Sequence, residues 1–359
     1  MPTTNPALAR ANRFCDANNL QMPILLAPMA GACPASLSIA VANAGGLGAC
    51  GALLMQPDAI RNWTSAFRAG SNGGFQINLW IPDSAPIRDG PTEETMCAFL
   101  GNWGPRPSRE DGDVRMPDFA AQCDAILNIG PAVVSSIMGI YPCDFIAKAK
   151  SRGIKWFATV TTVTEARRAE RAGADAIVVQ GMEAGGHRGA FNAAQAEAGM
   201  VGLFSLLPAV VDAVHVPVVA TGGIADARGV AAALILGASA VQIGTGFLRC
   251  PEAALPPAWA DAIGSSLPEQ TLVTRAFSGR AGRSIATAYA RAACAAGAPP
   301  AAPYPVQRGL TQAMRAIGIK SNDLDRMQAW AGQSGGLVRA EPAAAIANHL
   351  WEGALSMLR

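Results

Sequence analysis

Short, nearly unbroken apolar runs alternate with helix-patterned segments along most of this chain. Eight such runs fall before residue 250: "PILLAPM" (23–29), "GLGACG" (46–51), "FQINLW" (75–80), "AVVSSI" (132–137), "KWFATV" (155–160), "AIVVQG" (176–181), "PVVATGG" (217–223) and "AVQIGTG" (240–246). Continuous rather than alternating hydrophobicity marks strands that are covered on both faces. Between them, "TEARRAERAGA" and "DARGVAAALILGA" carry Ala, Leu, Arg and Glu at helical spacing, and Gly173 and Gly237 stop their helices before the next strand. Alternating strand and helix predict a parallel sheet. Eight repeats in about 250 residues favour an α/β fold of the closed (β/α)8 TIM-barrel type, with an open doubly wound sheet second.

Two segments break the repeat. Residues 81–116, rich in Pro, Gly and charge, follow the third run, where a barrel keeps active-site loops. With Trp80 and Trp103 this excursion suits a lid as well as a surface loop. Residues 249–336 read as a helical second domain inserted after the eighth strand, a substrate or lid domain. That leaves 1–248 plus 337–359 as the barrel, closed by the helix "PAAAIANHLWEGAL".

Composition narrows the partners. A formal net charge of +2, with 15% charged residues and no basic block, is not a nucleic-acid footprint. No run approaches the roughly 18 apolar residues of a membrane span. The first residues lack the basic start and apolar core of a secretory signal. Eight cysteines without a CxxC pair fit reduced thiols rather than disulfides or a zinc site. The expectation is a cytoplasmic protein, monomer or homodimer, acting on small molecules without a bound metal.

Candidate chemistry then concentrates at predicted strand ends. Gly46, Gly48 and Gly51 satisfy GxGxxG, but they follow a helix-like "ASLSIAVANA" and lie within a strand, whereas a dinucleotide fingerprint follows a strand and opens a helix. A better anion cradle lies in "ATGGIADARG" and "QIGTGF", which end the seventh and eighth runs. Barrels commonly bind phosphate there through backbone amides, and Gly222, Gly223, Gly244 and Gly246 permit the close approach, with Thr221 and Thr245 as added donors. A flat heteroaromatic ring would be met by backbone near Pro28 and Met29 and by the amides of Asn78 and Gln180. His187, in "QGMEAGGHRG" just past the sixth run, is one of three histidines and falls on the same face. Gly185 and Gly186 clear space for a planar ligand, and a neutral imidazole can accept a proton, donate a hydrogen bond or steady a negative product. His215 and His349 read as structural.

These blocks, with "APM" and "AGQSGG", resemble the nitronate monooxygenases, formerly called 2-nitropropane dioxygenases, over nearly the whole chain. Members are FMN-containing barrels with a smaller helical domain over the flavin. The resemblance implies FMN as cofactor, with its phosphate at Gly222, Gly223, Gly244 and Thr245. Its ring or ribityl chain would lie against Ala27, Pro28, Met29, Asn78, Gln180, Gly185, Gly186, Ala220 and Gln242, with Gln333 in a loop near the flavin. His187 matches the family's active-site histidine. Tyr304 and Arg308 fall where some members place a tyrosine and a lysine that close the pocket. Many members also carry a second histidine in the segment matching "SSIMG", where this chain has Ile137 and Met138. The implied activity is oxidation of alkyl nitronates, and of nitroalkanes after loss of the α-proton to His187, with O2 to a carbonyl compound and nitrite. The same superfamily contains NAD(P)H-dependent enoyl-acyl-carrier-protein and quinone reductases, the alternative reading.

Overall fold

The computed structural model describes residues 5–359. Eleven strands form two sheets. In chain order they are β1 (Ile24–Leu26), β2 (Gly48–Gly51), β3 (Phe75–Trp80), β4 (Val133–Ile137), β5 (Lys155–Val160), β6 (Ala176–Gln180), β7 (Gly186–His187), β8 (Val218–Thr221), β9 (Ala240–Ile243), β10 (Thr271–Thr274) and β11 (Gly282–Ile285). The larger sheet has eight parallel strands in the order β1-β9-β8-β6-β5-β4-β3-β2, each coinciding with one of the eight apolar runs. A parallel bridge between Leu25 and Leu47, with Leu26 N–H donating to Leu47 O at 2.9 Å, joins its two ends into a nearly closed barrel. The tempting GxGxxG is therefore barrel wall. Gly48–Gly51 are β2 itself, entered after the helix Ala35–Asn43.

Helices cover the outside because each carries an apolar face, and the helix Ala343–Leu358 packs between Ala35–Asn43 and Ala227–Ile235 to finish the ring. Inside, Leu25, Leu47, Val133, Phe157, Ala176, Val178, Val219 and Ala240 form a closed apolar layer, plugged by Phe14 from the first helix. This layer seals the lower end. Polar side chains take over higher in the barrel, where Gln76 donates to both Leu26 O and Gln242 Oε1 at 3.0 Å and Asn78 donates to Ser135 Oγ at 3.1 Å. Such buried groups are tolerable only when bonded, so the open end is where a polar ligand can be met.

Residues 249–336 are not helical throughout. β10 and β11 form an antiparallel hairpin, and β7, from the loop after β6, adds to its edge. Three β-branched residues of the four in "TLVT" are the local cause. The excursion after β3 folds against this second body rather than hanging free. Met96, Cys97 and Leu100 of the helix Gly90–Leu100 share one buried cluster with Phe277, Tyr289, Val306, Leu310 and Met314. Its anchor is Glu93, only 1% exposed, which accepts two hydrogen bonds of 2.5 Å from Arg88 and faces Arg109 at 3.6 Å. These guanidiniums hold its carboxyl below the usual carboxylate range. A side chain at Gly112 would meet both the Arg88 guanidinium and Val306, so this turn lies close against the start of the helix carrying Arg308.

Removing one partner of a buried pair strands the other's charge. Glu93→Ala should therefore lower stability by about 2 kcal/mol, toward the low side because both arginines are part-exposed. Urea unfolding of variant and parent checks it.

Candidate active site

One cavity of about 360 Å³ opens at the C-terminal end of the barrel, between it and the second body. Bordering it are Ala27, Pro28, Met29, Asn78, Gln180, Gly185, Gly186, His187, Gly222, Gly223, Gln242, Gly244, Thr245 and Arg308, brought together from segments nearly 300 residues apart. Ala220, Gln333 and Tyr304 do not border it. Ala220 is fully buried in β8, and Gln333 donates its N–H to Glu183 O at 3.0 Å while its neighbours Gly332 and Ser334 face the cavity. Tyr304 stands one layer back, its ring 5.4 Å from that of Trp80.

The anion cradle has the backbone it requires. Gly222 and Gly223 both hold positive φ, +107° and +70°, a conformation glycine adopts without strain. Among the described residues neither N–H donates to a protein acceptor, so two adjacent donors are left for a ligand, as in an anion nest. The loop after residue 330 covers this end. Gly332 N–H donates to Thr245 Oγ1 at 3.0 Å and Ser334 Oγ donates to Gly223 O at 2.7 Å. Deeper in the cavity, Asn78 Oδ1 and Gln242 Nε2 have no partner among the described residues, while the opposite atoms of the two amides are engaged. One acceptor and one donor thus face a ligand, matching the edge of a heteroaromatic ring. Gln180 has a different task. Its Nε2 donates to His187 O at 3.1 Å and its Oε1 accepts from Gly189 N–H at 2.8 Å, so it shapes the loop that bears the histidine.

His187 sits in β7, opposite Gly282 of β11, with its ring between two indoles: Trp80 at 4.7 Å and Trp330 at 4.8 Å, both edge-on. Its Nε2 lies 2.7 Å from Ser278 Oγ. Three arginines stand around it. Arg280 is buried and paired with Asp83 at 3.3 Å, and its guanidinium touches Met138 Sδ. Arg315 donates to Thr311 Oγ1, Gln328 Oε1 and Arg308 O at 3.0, 3.1 and 2.8 Å. Neither Arg308 nor Arg315 meets a carboxylate among the described residues. The cavity wall therefore carries uncompensated positive charge, a magnet for a small anion. Ile137 borders the cavity while Met138, at φ +68°, is buried behind it. Ser278, Arg315 and Trp330 were not singled out in the sequence. They come from the second body, where no strand-end rule marks a site.

Burial first, then Arg280, Arg308 and Arg315, push the His187 imidazole down to about 3. The ring is neutral at ordinary pH. An unfolded histidine titrates near about 6.5, so the unfolded chain takes up this proton first as pH falls. The stability due to a neutral His187 is complete above about pH 6.5 and is lost progressively as pH falls toward about 3. His187→Gln should lose less stability than the parent between neutral pH and about pH 4.5, measured by denaturant midpoints.

Known proteins agree with this geometry. The family model described as nitronate monooxygenase matches residues 12–352. A nitronate monooxygenase of Paraburkholderia phytofirmans is 35% identical over 337 residues, 92% of each chain. A probable nitronate monooxygenase of Staphylococcus aureus is 34% identical, covering 94% of this chain and 96% of its own. Among solved structures, a nitroalkane oxidase from Streptomyces ansochromogenes superposes with a TM-score of 0.86 at 32% identity, over 96% of this chain and 100% of that one. FabK from Thermotoga maritima follows at 0.74 and 28%, over 96% of each. Matched by that family model over residues 12–352 and by relatives 34–35% identical over more than nine-tenths of its length, the chain belongs to the nitronate monooxygenase family of FMN-dependent oxidoreductases.

Proposed function

We propose that this chain holds FMN in the barrel mouth and takes preformed alkyl nitronate anions, with O2, to a carbonyl compound and nitrite. The observation that carries this reading is the convergence, in one cavity, of the free Gly222 and Gly223 amides, the Asn78 and Gln242 edge groups, His187 and two arginines without counter-ions. The flavin, when bound, supplies the one-electron chemistry and the reaction with oxygen. The protein's own groups bind and orient. Gly222 and Gly223 hold the phosphate, while backbone at 27–29 and the free amide atoms of Asn78 and Gln242 hold the ring. The nitronate is drawn in by Arg308 and Arg315. His187, whose Nε2 shares a hydrogen bond with Ser278 Oγ, serves a nitronate oxygen as a hydrogen-bond donor.

His187 so held is a weak base. A neutral nitroalkane has to lose its α-proton before it can react, and an imidazole pushed down to about 3 is a poor acceptor for it. In this reading His187 serves the anion as a hydrogen-bond donor, and the general-base role stands or falls with turnover of the neutral nitroalkane. Tyr304, whose phenol burial pushes up to about 12, stays protonated beside Trp80. No helix among the described residues is long and apolar enough to cross a membrane, in keeping with small-molecule substrates.

Oxygen uptake and nitrite release should accompany turnover of propyl-2-nitronate, with kcat/KM at least about 100-fold above that for 2-nitropropane, the size of a typical base contribution. Comparable values for the two would restore the base role. Arg308→Met and Arg315→Met should each lower kcat/KM for the nitronate by about 10- to 100-fold, as loss of a charged hydrogen bond does. Bleaching of the yellow protein by NADH or NADPH under anaerobic conditions, with no response to nitronate, would make it a reductase instead. For the nest, Gly223→Asp and Gly223→Asn both tolerate positive φ, yet the aspartate opposes a phosphate. FMN dissociation constants by fluorescence should be about tenfold or more weaker for the aspartate than for the asparagine.

A further inference from the structure

Large apolar side chains are rarely left in water without reason when they gather at one place, whereas scattered ones need no explanation. Leu54 and Ile319 are 41% and 55% exposed, and both border the cavity that contains His187. They come from unrelated parts of the chain. Leu54 lies in the loop after β2, and Ile319 lies near the end of the helix Gln312–Ser321. Met327, itself fully enclosed, and Trp259 extend the same apolar rim. Ile319 stands one helical turn, about 6 Å, beyond Arg315 on the same helix face. A substrate chain of two or three carbons spans at most about 4 Å, less than the roughly 6 Å rise from Arg315 to Ile319.

We propose that the rim is an alkyl-chain subsite, so that the preferred substrates are nitronates with an unbranched apolar chain of hexyl length or longer. The nitronate head lies at His187 and the two arginines, and the chain runs past Arg315 to Ile319 and Leu54. This rests on the nitronate monooxygenase reading and names the substrate class of that site. Its physical basis is burial. A fully enclosed methylene raises affinity about fourfold, and one against a half-open rim about twofold.

The test is a series of primary alkyl nitronates, ethyl through octyl, assayed by oxygen uptake with the FMN-loaded enzyme and with Leu54→Ser/Ile319→Ser. Dissociation constants for the matching 1-nitroalkanes, read from tryptophan quenching at the cavity, give a second measure independent of turnover. For the parent, kcat/KM should rise about twofold per methylene from butyl to octyl, with the same slope in the dissociation constants. The double variant should flatten both slopes, and because both residues are exposed its unfolding midpoint should stay within a degree or two of the parent. A flat series in an actively turning-over parent overturns the chain subsite and leaves the nitronate reading standing. An unchanged slope in the variant overturns the assignment to these residues, as does weakened FMN retention without a change of slope, which would place the rim at the flavin edge. No turnover with any member overturns the functional reading and this proposal together.

Discussion

Gly186 and His187 pair with Arg283 and Gly282, and this short ladder is the point on which the site turns. It ties the loop after β6, which belongs to the barrel, to the hairpin of the second body. His187 consequently lies where both bodies contribute to it: Trp80 against its ring and the Gln180 amide on its backbone carbonyl from the barrel, Ser278 and Trp330 against its ring from the second body. Close approach makes the ladder specific. A side chain at Gly282 would run into the Trp330 indole, and one at Gly185 into the backbone at Ala331 and Gly332. Arg188 secures the loop from below by donating to Gln180 O at 2.6 Å.

Electrostatics follows from that placement. A histidine flanked by indoles and faced by arginines is cheaper to keep neutral than charged, which pushes its imidazole well below its ordinary value. The positive charge needed to attract an anion comes from side chains that cannot lose it. Arginine keeps its proton even when partly buried, and Arg308 brings a planar fork of donors with its charge. The buried Arg280, by contrast, is matched by Asp83 and adds little free charge to the cavity.

The excursion at 81–116 shows how a segment without catalytic side chains still serves the site. Its helix and turn share a core with the second body, and the Glu93 ion cluster supports the helix that carries Arg308. Proline, glycine and charge in this stretch read equally as lid or as surface loop, and its helix packs into the core of the second body. Neither reading could be settled locally, because the apolar residues that decide it, Met96, Cys97 and Leu100, find their partners some 180 to 210 residues further on.

The barrel was legible because its cause is local and repeated. Each strand is an apolar run of a few residues, several helices stop at or just before a glycine, as at Gly130, Gly173 and Gly237, and both-faced burial removes the alternation that an open surface would impose. Strand-end position likewise marked Asn78, Gln180, the paired glycines and His187, since in a barrel the end of a strand is also the floor of the site. Tertiary structure alone decided the rest. The β-hairpin at 271–285 is stabilised by an edge strand nearly 100 residues upstream, and Ser278, Arg315 and Trp330 reach His187 only because the second body folds over the barrel mouth. Local pattern sets strands, helices and turns, but the charge around an imidazole, and with it whether that ring acts as a base or as a donor, is the sum of fields from residues that the fold brings together from across the chain.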